Sequence, residues 1–129
     1  MRLTTSIDMG GYEYDCDGIY YSCDSWRIES DTYPLITVQI YRDREETETS
    51  YLWDITAYAE YFDIPTGCTY TLANAGCKFA DGADLSTMLK AIVKDLRMAT
   101  NDARKSADPC DVRACCRALA IMDEWARTF

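Results

Sequence analysis

Carboxylates and phenols are the reactive side chains this sequence offers in quantity, and they crowd together. Asp8, Glu13, Asp15, Asp17 and Asp24 are interleaved with Tyr12, Tyr14, Tyr20 and Tyr21. Asp43, Glu45, Glu46 and Glu48 stand beside Tyr41 and Tyr51. Pairs such as Asp15 with Asp17, or Glu45 with Glu48, could in principle hold Mg²⁺ or carry out acid–base chemistry. Nothing in the sequence sets either pair in a pocket, so no catalytic residue is assigned. The chain contains no histidine. A Ser-His or Cys-His nucleophile therefore cannot be assembled, and no Gly-rich phosphate-cradling motif is present. The expectation is a protein that is not an enzyme and needs no cofactor.

Seven cysteines invite a metal or disulfide reading, yet the number is odd and no Cys-x-x-Cys pair occurs among Cys16, Cys23, Cys68, Cys77, Cys110, Cys115 and Cys116. A zinc site would have to use Cys and carboxylates alone. Reduced, mostly buried thiols acting as small hydrophobes are the expectation, with no metal bound.

The charge is unevenly spread. Residues 1–63 hold 14 acidic residues against 4 arginines, a net −10, while residues 64–129 hold 8 against 9 Lys and Arg, a net +1. Nine of the ten tyrosines fall in the acidic part. Direct nucleic-acid binding is excluded on this balance, because it depends on cationic neutralisation of phosphates. A basic protein surface is the better complement. The candidate contact residues are Glu13, Asp15, Asp17, Tyr20, Tyr21, Asp24, Asp43, Glu45, Glu46 and Glu48. Two readings of them stay open. Either they are a solvated face that keeps the protein soluble and blunts edge strands, or they imitate phosphates and occupy a groove meant for DNA.

The elements that must position these residues follow from periodicity. The 129 residues suit a single α+β domain spanning 1–129, with 48% apolar and 27% charged residues typical of globular chains. Strands are predicted at residues 3–9, 12–16 and 19–23, the last two flanking a tight turn at Asp17-Gly18. Trp26-Arg27-Ile28 is too short to assign. Pro34 to Tyr41 is the clearest strand, and the charged run Arg42 to Thr49 is the next turn. Tyr51-Leu52-Trp53 ends a strand, and Asp54 caps a short helix with Ile55, Tyr58, Ala59 and Phe62 on one side, ended by Pro65 and Gly67. Cys68 to Leu72 is a further strand, followed by a loop through Asn74-Ala75-Gly76.

The last third reads as two amphipathic helices. Leu85, Met88, Leu89, Ile92, Val93, Leu96, Ala99, Thr100 and Ala103 line one face of the first, capped by Asp84. Asp108-Pro109 starts the second, whose ridge is Val112, Cys115, Cys116, Leu119 and Met122. The short turn at Ser106-Ala107-Asp108 makes the pair antiparallel. The fold expected is an antiparallel sheet from the N-terminal half packed against a C-terminal antiparallel helical hairpin. The core list comprises Leu35, Ile36, Val38, Ile40, Leu52, Leu72, Leu85, Leu89, Ile92, Val93, Leu96, Val112, Cys116, Leu119 and Met122, with Trp53. Ile121, Trp125 and Phe129 widen the last ridge, and Trp125 with Phe129 could form an exposed patch that pairs two copies.

Between Tyr70 and Ala80, the residues Tyr70, Leu72, Asn74 and Gly76 resemble the Tyr-x-Leu-Ser-Asn-Gly-Gly segment of the plasmid antirestriction family of KlcA/ArdB type, with Ala73 and Ala75 in place of the family's Ser and second Gly. The resemblance covers the C-terminal half of the chain, with an amphipathic helix and a strand before the segment and two helices after it. It implies an α+β protein of a mobile element that blocks a host DNA-targeting defence without being an enzyme. With the acidic half, the expectation is a cytoplasmic inhibitor that binds the basic nucleic-acid-binding surface of a CRISPR or restriction nuclease complex. The alternatives are a non-inhibitory interaction module or regulatory subunit and, less favoured, a carboxylate- or metal-dependent enzyme. No run approaches the roughly 20 apolar residues of a membrane span, so no membrane partner is expected.

Overall fold

The computed structural model describes the backbone of residues 1–14, 20–46, 51–105 and 108–129, and the side chains of these residues other than those in 11–22 and 45–51. Five strands come first, β1 (Leu3–Tyr14), β2 (Tyr20–Ser30), β3 (Ile36–Glu46), β4 (Tyr51–Asp63) and β5 (Cys68–Ala80), followed by α1 (Leu85–Ala103) and α2 (Pro109–Ala126). Each strand pairs antiparallel with its sequence neighbour, so the sheet is a meander in the order β1-β2-β3-β4-β5. Both helices follow the sheet and pack on one of its faces. The α+β architecture is the one the segregated strand and helix patterns predict.

Alternation along the strands decides which face is covered. Trp26 and Ile28 of β2, Ile36, Val38 and Ile40 of β3, and Ile55, Ala57 and Ala59 of β4 are buried at every second position. Met88, Leu89, Ile92, Val93 and Leu96 of α1 and Ala114, Ala118, Ile121, Met122 and Trp125 of α2 complete the same core. Ala57 lies opposite Ala75 and Ala59 opposite Ala73, giving β4 and β5 a patch of small side chains where α1 packs. Met88, Leu89, Ile92 and Leu96 of α1 are buried in the same cluster as these alanines.

The caps are as predicted. The Asp84 carboxylate accepts from the Thr87 N–H at 3.3 Å, and Asp108 accepts from the Cys110 N–H at 2.9 Å, with Pro109 as the first helical residue. Ser106 and Ala107 of the expected turn lie outside the described residues, as do Asp15–Ile19 with the Asp17-Gly18 dipeptide. Tyr14 stands opposite Tyr20, so β1 and β2 do form the expected hairpin.

Several expectations are corrected. The helix predicted from Asp54 is the middle of β4, because Ile55, Ala57, Ala59 and Tyr61 point to the core while Thr56, Tyr58 and Glu60 point away. This period of two suits the β-branched and aromatic residues present. Pro65 and Gly67 belong to the tight turn between β4 and β5, where Gly67 has a positive φ of 66° and its N–H donates to the Asp63 carbonyl at 2.8 Å. Arg42 to Glu46 continue β3 rather than turning. Trp26-Arg27-Ile28 is the centre of β2. The loop expected at Asn74-Ala75-Gly76 is extended strand in β5, and Gly76 does not take a positive φ.

The second helix is rotated from its expected phase. Cys116 is exposed, Val112 and Leu119 are half-buried, and Ala114, Ala118 and Ile121 face inward instead. Ranking by hydrophobicity favours Cys and Leu, whereas a helix lying close to a sheet and to α1 needs small side chains at the contact. Leu72 and Leu85 sit at the margin of the core, while Leu35 and Leu52, one residue out of phase with the core-facing Ile36 and Trp53, fall on the opposite side of the sheet. Trp125 is buried and packs edge-on against Phe129 with ring centroids 4.8 Å apart. It is therefore not part of an outward patch that could pair two copies.

Candidate functional site

Because both helices lie on one side, no element among the described residues covers the other face of the sheet. Register places Asp8 on β1, Arg27 and Glu29 on β2, Thr37, Gln39, Tyr41 and Asp43 on β3, Asp54, Thr56, Tyr58 and Glu60 on β4, and Asn74, Gly76 and Lys78 on β5 on that face. Among the described residues it carries five carboxylates against two cations, a net −3.

Neighbouring strands lie about 4.8 Å apart, and alternate residues of one strand share a face, so these side chains pair both across and along the strands. The Tyr41 hydroxyl donates to Gln39 Oε1 at 2.5 Å, and Gln39 Nε2 donates to Glu60 Oε1 at 3.1 Å. Tyr41 meets Tyr58 edge to face at 6.1 Å. Arg27 Nε donates to Glu29 at 2.6 Å, a pair more than half exposed on both sides that adds little to stability. Below this network Pro34, Leu35 and Phe62 border a shallow depression of about 410 Å³ that also touches Arg27, Gln39 and Glu60. The result is a broad acidic surface with two tyrosines in edge-to-face contact. The groups it offers are hydrogen-bonding and charged side chains and amphipathic rings.

Asp24 does not belong to it. Its side chain points to the helix side at the end of the sheet, where it is only 6% exposed. Arg42 grips one of its oxygens through Nε at 3.0 Å and Nη2 at 2.6 Å, and the Gly10 N–H donates to the other at 2.7 Å. The Gly10 amide is free for that bond because β1 bulges between Asp8 and Gly11, with Gly10 at φ 74°. The Arg42 guanidinium lies 4.1 Å from the Trp53 ring centroid, Arg44 lies 5.8 Å from it, and Arg44 pairs with Asp81 at 3.3 Å. Trp53 donates through its indole N–H to the Asp81 carbonyl. This chain of acid, cation, ring, cation and acid closes the open end of the core. Asp24 is thus a structural anchor, a correction to its expected place among outward acids.

Of the other predicted contact residues, Asp43 is on the uncovered face, half-buried and directly opposite Asp54. Glu13, Tyr20, Tyr21, Glu45 and Glu46 lie in strands, with side chains outside the described set. Asp15, Asp17 and Glu48 lie outside the described residues altogether. Asp54, Tyr58 and Glu60 were missed because residues 54–62 were assigned helical period; strict alternation from Asp54 to Tyr61 was the signal that could have found them.

Of the described cysteines, Cys23 and Cys115 are buried, Cys77 is intermediate, and Cys68, Cys110 and Cys116 are exposed. Cys68, Cys77, Cys110, Cys115 and Cys116 are free thiols, but the expectation that most would be buried fails. Burial pushes the Cys77 and Cys115 thiols above their ordinary pKa, with nearby carboxylates adding to the effect. No cluster of three or more His, Cys, Asp or Glu side chains suited to a metal occurs among the described residues. Among them no helix is long and apolar enough to cross a membrane.

No protein-family model, curated protein or solved structure matches the chain. The segment bearing Tyr70, Leu72, Asn74 and Gly76 is strand β5, preceded by strand β4 where the resemblance implies a helix.

Proposed function

We propose that this protein is an acidic inhibitor whose uncovered sheet face occupies the basic nucleic-acid-binding surface of a host DNA-targeting complex, CRISPR or restriction nuclease, and excludes DNA. The observation that carries the reading is an entire five-stranded face, free of helices, that presents Asp8, Glu29, Asp43, Asp54 and Glu60 around Tyr41 and Tyr58. Carboxylates fixed on a sheet lose little conformational freedom on binding, and tyrosines supply contact area at low entropic cost. The antirestriction resemblance points to the same class of target, and the cytoplasm of the host is where such a target would be met. The mechanism is steric and electrostatic competition, without catalysis, metal or cofactor.

The test is DNA retention by purified CRISPR and restriction complexes in the presence of the chain. Wild-type protein should displace DNA, less effectively as salt rises. Reversing Asp8, Glu29 and Glu60 to Lys should abolish displacement while leaving the melting temperature nearly unchanged. Reversing Asp102 and Asp123 on the helices should do much less. Displacement that survives the sheet reversals would reduce the acidic face to a solvated one. A non-inhibitory interaction module would instead bind its partner through the same face without displacing DNA.

A further inference from the structure

The helical layer has a surface of the opposite sign. Along the outer side of the hairpin, Lys94, Arg97 and Arg104 of α1 border a groove of about 590 Å³ whose far wall is Cys116, Leu119 and Ala120 of α2. A second depression of about 250 Å³ shares Lys94 and Arg97 and continues the groove past Lys90 to Ala126 and Phe129. Met98, on its rim, is 61% exposed, and Phe129 is 41% exposed. The cations recur at the spacing of one helix face, so they form a rim about 20 Å long from Lys90 to Arg104. The carboxylate lining the groove is Asp123, bridged to Arg97 at 2.8 Å.

A cationic rim over an apolar floor is unexpected in a chain of net charge −9. We infer that this groove is a docking site for an acidic amphipathic helix of a partner protein, independent of the sheet face. Two antiparallel helices on a sheet leave between them the groove into which a third helix packs by ridge and groove. Charge complementarity selects an occupant with an apolar stripe for Met98 and Leu119 and Glu or Asp beside it for Lys94, Arg97 and Arg104. A second copy does not fit, since its own hairpin would bring the same cations face to face. A nucleic acid would find no exposed rings to stack on apart from Phe129, and Asp123 in its path.

The probe is a synthetic peptide of about 14 residues, roughly 21 Å of helix, with Leu at i, i+3, i+4 and i+7 and Glu on both flanks, cross-linked to hold its helix. Titration against the full chain should give saturable binding that weakens with salt. Lys94→Glu and Arg97→Glu should each weaken it about tenfold. Asp123→Asn, which releases Arg97, should tighten it about twofold, an effect that loss of fold would not produce. Several results would overturn the inference: no binding of the Glu peptide, equal binding of a Lys-flanked peptide with the same stripe, or indifference to Lys94→Glu. So would a dimer of the chain alone that dissociates on Lys94→Glu, or binding to anionic vesicles in preference to the peptide. Reversal of Asp8, Glu29 and Glu60 should leave peptide binding in place, so the two surfaces stand or fall separately.

Discussion

The two faces of the sheet are built from the same strands and do opposite work. On β4, Ile55, Ala57 and Ala59 are completely buried, while Thr56, Tyr58 and Glu60 between them stay partly open to solvent. One face holds the molecule together by excluding water. The other carries polar and charged side chains that contribute less to stability than the buried apolar layer. Charge follows the same division. On the uncovered face Glu29 pairs with Arg27 along its own strand and Glu60 with Gln39 across strands, both at least partly open to solvent, whereas on the helix side Asp24 is tolerated only because Arg42 and the Gly10 amide satisfy it.

The largest departure from wild type should come from breaking that buried pair. Asp24→Ala leaves Arg42, whose side chain is only 12% exposed, without its counter-ion. Removing one partner of such a pair costs about 3–5 kcal/mol. Replacing both, as Asp24→Val with Arg42→Met, should recover part of this and leave a deficit of about 1–3 kcal/mol from the orphaned Gly10 N–H. Denaturant titration of the three proteins measures both. If Asp24→Ala unfolds at the wild-type midpoint, the carboxylate is an outward group like its sequence neighbours, and the contrast between the faces fails at this end.

The next largest effect sharpens the comparison within the core. Ile92 is fully buried against the sheet, so Ile92→Ala should cost about 2–5 kcal/mol, according to how far the cavity collapses. Thr56→Ala on the opposite face should stay within about 0.5 kcal/mol. A melting temperature for Ile92→Ala indistinguishable from wild type would mean that α1 is rotated from the phase described.

How much of this was legible in the sequence depends on which signal each element carries. The start and phase of helix α1 were readable, because its apolar positions keep a 3.6 period and Asp84 marks its start. Strand β3 was readable in part, since Ile36, Val38 and Ile40 alternate cleanly, but its charged continuation Arg42 to Glu46 looked like a turn. There the inward alternation passes to Arg42, whose guanidinium lies over Trp53 and is held by Asp24, a long-range arrangement that local propensity does not reveal. Strand β4 was misread because Ile55, Tyr58, Ala59 and Phe62 also satisfy a helical spacing. Pairing with β3 and β5 decided in favour of the strand. The acidic bias of the candidate site was visible from composition, but its members were not, since the face a residue occupies depends on register and on the bulge at Gly10.

The smallest expected effect lies where the two faces meet, at the edge of β1. Asp31, just past β2, accepts from the Arg2 N–H at 2.8 Å, and its own N–H donates to the Arg2 carbonyl at 3.1 Å. The Arg2 amide, ahead of the Thr32 hydroxyl and the positive N-terminus, holds the Asp31 carboxyl below its ordinary value of 3.8. A carboxylate whose pKa falls on folding stabilises the folded state above its unfolded pKa, and the contribution disappears as pH drops through the lowered folded value. Protection of the Arg2 amide should therefore be constant from neutral pH down to the ordinary carboxylate range and be lost only below it. Because Asp31 is exposed, global melting should hardly respond, which separates this clamp from the buried Asp24 pair. Amide exchange followed by NMR, with Asp31→Asn as reference, reads the change directly. The variant should show the reduced, low-pH protection factor of the Arg2 amide at every pH, after correction for intrinsic exchange. If the Arg2 amide of the wild type exchanges as fast as that of Asp31→Asn at neutral pH, the carboxylate does not clamp the strand, and the first residues of β1 are held by ladder hydrogen bonds alone.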